Sequence, residues 1–387
     1  MSVPHRQLYR VLFSKEVAAP ASRMGFIKAH RPLYPNIPYV MTGVAYERML
    51  VADPQAVAEM LHMRPMTEKT QRLLVFFPGG IGDVICLNAA LRAFRKANPH
   101  VSVAVVSTVS DKSIVDAETV LWEYPVTETI ANHYDAWINV AEHDRESVGQ
   151  ELCQTFAQHL GMDAPEQGPV IRPDGRLMAA MAEYLRDQKQ YRVGVQLASA
   201  YHYRSIPPVM GCRIMMDLVE RGCECYVLGT PENAVNWTQK VYDDAGNVIG
   251  KTKSEPPPHI YDMTTVLGPV ENTIAFTALM DVVLTPDTGT LHIAGALGKP
   301  SVGIFGMTEG CKRTKYNPVL RVIQGEAECA PCYKLAEDVP CDEPWCRAVM
   351  DLDTEMIADN VMGVLCEYAE TDGSQHAEHV TSGVKPS

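Results

Sequence analysis

The residues with the clearest chemical potential lie in the segment 285–298, TPDTGTLHIAGALG. An apolar run over 281–284 meets a polar turn, Asp287-Thr288-Gly289, and then a stretch with helical spacing, so the segment reads as strand, turn and helix. Unbonded amides at a helix N-terminus, with backbone access at Gly289, suit a phosphate group. Thr290 and His292 lie one turn in, where a hydroxyl and an imidazole could reach the same anion. An ordinary strand-to-helix turn capped by Asp287 or Thr288 fits the same residues. A second turn, Gly79-Gly80-Ile81-Gly82, follows the apolar run RLLVFFP and carries Asp83, whose position suits a cap for the helix DVICLNAALRAF. A third group is Cys329-Ala-Pro-Cys332 with Cys341 and Cys346, spaced C-x2-C-x8-C-x4-C. An x2 pair lets two thiolates close on one ion while the second pair completes a tetrahedron. Reduced thiols without a metal are the alternative.

These turns need elements to hold them. RLLVFFP, from Arg72, is a continuous apolar run of the kind found in buried parallel strands. After the helix that follows it, Asn98-Pro99 stops the chain and residues 101–107 supply the next strand. Residues 135–140 read as a later strand and 147–160 as a helix, before a Pro- and Gly-rich connection at 161–175. A second series then alternates: helix 176–188, strand 191–197, the polar loop ASAYHYRSIPP, a helix ending at Gly222, strand 223–230, a helix near 234–242, helix 271–280, the opening motif and strand 301–306. The expectation is an α/β chain of two Rossmann-like, doubly wound domains, 71–175 and 176–350, with ligands at the carboxyl ends of the strands, where both glycine-containing turns fall. Residues 1–70 form an N-terminal extension with a helix expected from Asp53. Residues 351–370 read as a C-terminal helix that could cross back to the first domain, and 371–387 as a disordered tail.

Composition narrows the classes. A chain of 387 residues, 46% hydrophobic and 21% charged, has enough apolar sequence for two cores. No run approaches the ~20 apolar residues that span a bilayer, and the N-terminus lacks a signal peptide's apolar core, so a cytoplasmic protein is expected. The net charge of −13 argues against a broad nucleic-acid or anionic-membrane surface, so an anionic ligand must be gathered by local donors. Of eleven cysteines, seven (Cys86, Cys153, Cys212, Cys223, Cys225, Cys311, Cys366) are scattered and read as small core or surface residues.

GGIGDVICLNAALRAF, followed about two hundred residues later by DTGTLHIAGALGKPSVGIFG, resembles the lipopolysaccharide heptosyltransferases, the inverting GT-B enzymes of glycosyltransferase family 9 that use ADP-heptose. The resemblance covers roughly residues 72–350. It implies two Rossmann-like domains facing each other across a cleft, with the donor held mainly by the C-terminal one. It makes Asp83 the candidate general base, with Gly79, Gly80 and Gly82 as its loop. Asp287, Thr288, Gly289, Thr290 and His292 become the donor-binding turn. Arg204 falls where relatives carry a Lys that meets the diphosphate, and Glu232 resembles an acid that holds the nucleoside. An inverting transfer needs a carboxylate to take the acceptor hydroxyl's proton while cations and helix amides stabilise the departing diphosphate, so no catalytic divalent metal is expected. The related autotransporter heptosyltransferases look similar in holding iron at cysteines after the FG strand. Zinc is the more usual occupant of four thiolates, so Cys329, Cys332, Cys341 and Cys346 are expected to form a structural zinc or iron site. The donor is a nucleotide-diphosphate sugar carrying heptose or hexose, and the acceptor a glycan, a protein side chain or a modified base. A nucleotide-sugar-binding or assembly protein of the same fold is the non-enzymatic alternative.

Overall fold

A computed structural model describes residues 7–18, 32–42, 52–77, 79–109, 111–140, 151–231, 238–242, 248–253, 255–332, 343 and 345–381; for 238–253 and 369–381 the description is of backbone alone. The chain divides into two compact units, Met1–Ile171 and Arg172–Ser387.

The first unit begins with β1 (Leu8–Leu12), the short β2 (Val17–Ala18) and β3 (Pro32–Leu33), β4 (Pro38–Thr42) and β5 (Val57–Leu61). It continues with β6 (Arg72–Phe76), α1 (Ile81–Ala97), β7 (Ser102–Ser107), β8 (Val120–Glu123), β9 (Val126–Thr127), α2 (Glu128–Asn132), β10 (Ala136–Asn139) and α3 (Leu152–His159). Strands β10-β6-β7-β8 form a parallel sheet, and the winding reverses between β6 and β10. After Arg72, RLLVF is apolar at every position because both faces of β6 are covered. On one face α1 packs with α3 and Phe77 meets Phe156 edge to face at 4.9 Å. On the other lies an antiparallel layer, β5-β1-β4-β9, whose Leu8, Val11 and Met41 share a core with Leu74, Phe76 and Trp137. Because β9 comes from within the 71–175 stretch, residues 8–61 are stitched into the first unit.

The helix expected from Asp53 is absent. Val57–Leu61 is a strand, paired antiparallel with β1 from Leu8↔Leu61 to Leu12↔Val57. Asp53 caps no helix here; it is buried and accepts the backbone and hydroxyl hydrogens of Ser14, each at 2.7 Å. A partner strand more than forty residues away decides the conformation.

The second unit runs α4 (Gly175–Ala182), β11 (Tyr191–Gln196), α5 (Pro208–Glu220), β12 (Cys223–Leu228), β13 (Thr238–Tyr242), β14 (Val248–Lys253), β15 (Ile260–Asp262), α6 (Val270–Ala278) and β16 (Val282–Pro286). It ends with α7 (Gly289–Ala296), β17 (Ser301–Phe305), β18 (Leu320–Gln324), α8 (Arg347–Met350) and α9 (Thr354–Thr381). Six parallel strands lie in the order β15-β12-β11-β16-β17-β18. This is the 3-2-1-4-5-6 order of a dinucleotide-binding sheet, and its switch point lies between β11 and β16. Helices α5 and α9 cover one face through residues such as Ile214, Leu218, Ile357 and Val361, while Met181 from α4, Phe276 from α6 and Met280 just after α6 cover the other.

Two further expectations change. The segment near 234–242 is no helix over its described part: β13 pairs with β14 as an antiparallel hairpin. TQKVY and VIGKTK are rich in β-branched residues, and the DDAGN between them supplies turn-forming types. Helix α9 packs on the sheet of its own unit, with Arg321 holding Glu367 through both carboxylate oxygens at 2.6 and 2.7 Å. Its backbone remains helical to Thr381, over residues where the composition points to disorder. Among the described residues no helix is long and apolar enough to cross a membrane.

Candidate functional site

The loops after β11, β12, β16 and β17 leave the same edge of the second sheet. Gln196, buried at the end of β11, ties three of them together. Its Nε2 donates to the Ala198 carbonyl at 2.7 Å, and its Oε1 accepts from the Thr290 hydroxyl at 3.3 Å, in the first turn of α7. Gly229, after β12, has φ +119°, and a Cβ there would lie 3.0 Å from Gln196 Nε2, so the position demands glycine on both counts. Thr288 is the N-cap of α7, its Oγ1 accepting from the Thr290 amide at 3.2 Å. Asp287 is therefore released for another task.

That task is visible in its surroundings. Asp287 is only 5% exposed, yet its Oδ1 lies 3.5 Å from Arg313 Nε and 3.9 Å from His292 Nε2. Burial by itself would raise its pKa; Arg313, Arg204 and His292, with a hydrogen bond from Thr308, outweigh that and lower it to about 2. The carboxylate is thus ionised at neutral pH. One negative charge faces two guanidiniums, so the group stays cationic even when His292 is neutral. A surplus of positive charge beside the amides of α7 is what a diphosphate needs.

Arg313 was not among the residues singled out from the sequence. It sits at the end of a 3-10 turn, Gly310–Arg313, after β17. In the run GCKRTKY three cations stand close together, and nothing in their spacing says which one turns inward. Lys312 pairs instead with Glu309 at 2.7 Å. The one available signal was position, since the turn follows a strand at its carboxyl end, one strand from the switch point.

Arg204 comes from the 3-10 turn His202–Arg204 in the loop after β11. Ser205 Oγ braces that loop, accepting from the Ser199 amide at 2.8 Å and donating to the Tyr201 carbonyl at 3.0 Å. Two buried polar atoms here, Ser199 Oγ and Arg204 Nε, have no hydrogen-bond partner among the described residues. Buried donors of this kind are costly unless a ligand completes them. Glu232 lies outside the described residues.

In the first unit, Asp83 is the third residue of α1 and its Oδ2 accepts from the Gly80 amide at 3.0 Å. It does cap the helix. The other carboxylate oxygen has no hydrogen bond among the described residues, so the cap leaves a proton acceptor to spare. Gly79 is held by the Thr108 hydroxyl, which donates to its carbonyl at 3.2 Å, and a Cβ at Gly79 would come within 2.7 Å of the Phe77 ring. This turn follows β6, where the first sheet reverses direction.

Of the clustered cysteines, Cys329 is exposed, Cys332 half-buried and Cys346 buried, and Cys341 lies outside the described residues. No described cysteine is in a disulfide, and among the described residues no group of three or more His, Cys, Asp or Glu is gathered around a metal position. The two segments that carry them do adjoin. Ala327 and Ala330 pack on the core that contains Cys346 and Ala348, and Gly325 runs so close to α8 that a Cβ would lie 2.0 Å from the Ala348 carbonyl oxygen. Cys346 is also the N-cap of α8. Burial pushes the Cys223 thiol up to about 12 and Cys225 well above its ordinary value, which keeps both protonated.

Two doubly wound α/β units, one of them gathering cations and helix amides at the switch point of its sheet, define a nucleotide-binding fold of the GT-B type. Residues 130–341, more than half of the chain, match the family described as glycosyltransferase family 9 (heptosyltransferase), and the chain belongs to that family. It is a glycosyltransferase of the heptosyltransferase kind. Among solved structures, E. coli ADP-heptose LPS heptosyltransferase II is 11% identical with a TM-score of 0.57, covering 77% of this chain and 99% of its own. The family 9 glycosyl transferase from Veillonella parvula DSM 2008 is 14% identical with a TM-score of 0.55, covering 79% and 99%. TibC, the iron-containing dodecameric glycosyltransferase of enterotoxigenic E. coli H10407, is 11% identical with a TM-score of 0.56 and covers 95% of this chain and 93% of its own. No curated protein sequence matches the chain.

Proposed function

We propose that this protein is an inverting glycosyltransferase that moves a heptose or hexose from a nucleotide-diphosphate donor such as ADP-heptose to an acceptor hydroxyl in the cytoplasm. The observation that carries the reading is the buried Asp287 surrounded by Arg204, Arg313 and His292 at the start of α7, at the switch point of the second sheet. Arg204, Arg313 and the amide at Gly289 hold the diphosphate and stabilise it as it leaves. Thr288 and Thr290 set the helix end, His292 lies on the same anion, and Glu232 engages the nucleoside. Asp83 takes the acceptor's proton through the oxygen its cap leaves open, while Gly79, Gly80 and Gly82 keep side chains clear of it. The reading needs no catalytic divalent metal, because the guanidiniums and helix amides supply the charge. TibC has been solved with ADP-D-beta-D-heptose, which supports that donor class.

Asp83→Asn separates base from cap. The amide oxygen can still accept from Gly80, so thermal stability should stay within about 2 °C, while sugar transfer should fall about a hundredfold or more. The assay is nucleoside diphosphate release from a panel of nucleotide sugars with glycan and protein acceptors. Transfer by Asp83→Asn at the wild-type rate would remove the assignment.

Cys329, Cys332, Cys341 and Cys346 are proposed to hold a structural zinc or iron ion. Their spacing, the adjoining segments and the iron in TibC support it. When bound, the ion would cross-link the loop after β18 to the start of α8. Elemental analysis returning neither zinc nor iron would remove it.

A further inference from the structure

We infer that Tyr201, backed by Tyr203, is a positioning residue that fixes the anion-binding face of Arg204. The inference rests on the proposed donor reading and says how the second unit prepares one of its cations. None of the guanidinium N–H donors of Arg204 meets an acceptor among the described residues, and the guanidinium forms no ion pair there; its attraction to Asp287 acts through space. A long side chain held only by a distant charge samples many rotamers, and ordering it on binding costs free energy.

What orders it is aromatic. The Arg204 guanidinium carbon lies 5.4 Å from the centroid of the Tyr201 ring, within cation–π range. Tyr201 in turn stacks on Tyr203 with centroids 5.1 Å apart and planes 10° from parallel. The ladder is anchored below by backbone: the Arg204 amide donates to the Tyr201 carbonyl at 3.0 Å, and the same carbonyl accepts from Ser205 Oγ.

The choice of an aromatic face has a consequence that a carboxylate partner would not. A carboxylate would occupy the N–H edge of the guanidinium, the edge a diphosphate must use. A ring carries no acceptor oxygen, so it attracts the cation while leaving the guanidinium N–H groups unbonded. The planar ion is therefore held in place without any of its donors being consumed. All three side chains are partly exposed, in a loop outside the three core clusters of the second unit, so changes to the rings leave the fold intact.

The test is binding of ADP to the full-length protein by titration calorimetry, with UDP and GDP as further probes. Tyr201→Phe keeps the ring and should bind within about twofold of wild type, whereas Tyr201→Leu should bind about five- to tenfold more weakly. Tyr203→Leu should show a smaller loss. The decisive arm is Arg204→Met: with no cation beside the ring, adding Tyr201→Leu to it should change affinity by less than about twofold. Equal affinities for wild type and Tyr201→Leu would overturn the inference while leaving the donor site standing. The same loss from Tyr201→Leu in both backgrounds would show that Tyr201 acts independently of Arg204, and would also overturn it. Failure of wild-type protein to bind any of the three diphosphates would bring down the donor reading, and this inference with it.

Discussion

Asp287 does its work by staying charged where burial alone would neutralise it. A carboxylate enclosed by protein resists ionisation, and here the cations Arg313, Arg204 and His292 reverse that preference and bring its pKa to about 2. The folded value lies below the ordinary 3.8, so the stabilisation from Asp287 is complete above that pH and is lost as the pH falls toward 2. Asp287→Asn keeps the shape but strands the guanidiniums without a counter-charge. Urea unfolding at pH 7 should show the variant about 2–4 kcal/mol less stable than wild type. The gap should narrow steadily between about pH 4 and the lowest pH at which the wild type still folds. A gap that stays constant down to pH 3 would mean the carboxylate has no such coupling.

At the scale of elements, the parallel strands were legible because strands covered on both faces read as largely apolar runs. RLLVF, CECYVL, VVLTP and SVGIF show it without a polar–apolar alternation along each strand, Glu224 being a buried exception that accepts from Asp187, Gln188 and Tyr226. Two short segments were not legible. Val57–Leu61 and Thr238–Tyr242 take their conformation from partner strands, and local spacing contains no trace of a partner. The strand-to-helix turn proposed for the donor was visible in its Asp-Thr-Gly, but Arg313 was not, because its inward turn depends on Gly310. A Cβ at Gly310 would lie 2.4 Å from Val322, a contact set by the neighbouring strand β18. The cysteine segments raise the same question of what holds one element to another. If an ion joins the Cys329–Cys332 turn to α8, removing it with a chelator should lower the melting temperature by about 5 °C or more. ADP affinity should change little, because the donor residues belong to β11, β16 and β17 and their loops. A chelator that leaves melting untouched while zinc or iron leaves the protein would show the ion to be peripheral to the fold.

At the scale of the molecule, each unit closes its own core. The layer β5-β1-β4-β9 completes the first by covering a face of its parallel sheet, and α9 completes the second by lying across β16, β17 and β18. The boundary falls at Ile171/Arg172, inside the Pro- and Gly-rich connection. Every described residue assigned to the donor, from Ser199 to Arg313, lies on the second side of it. Residues 172–387 expressed alone should therefore fold and bind ADP within about threefold of the full chain, yet transfer no sugar, since Asp83 is missing. A fragment that is folded by circular dichroism but does not bind ADP would show that the first unit contributes to the donor site. A fragment that binds ADP and also transfers sugar would show that the base lies in the second unit and that Asp83 is only a cap. Between those outcomes the experiment assigns donor recognition and proton removal to separate halves of the chain, a division that neither glycine-containing turn reveals by itself.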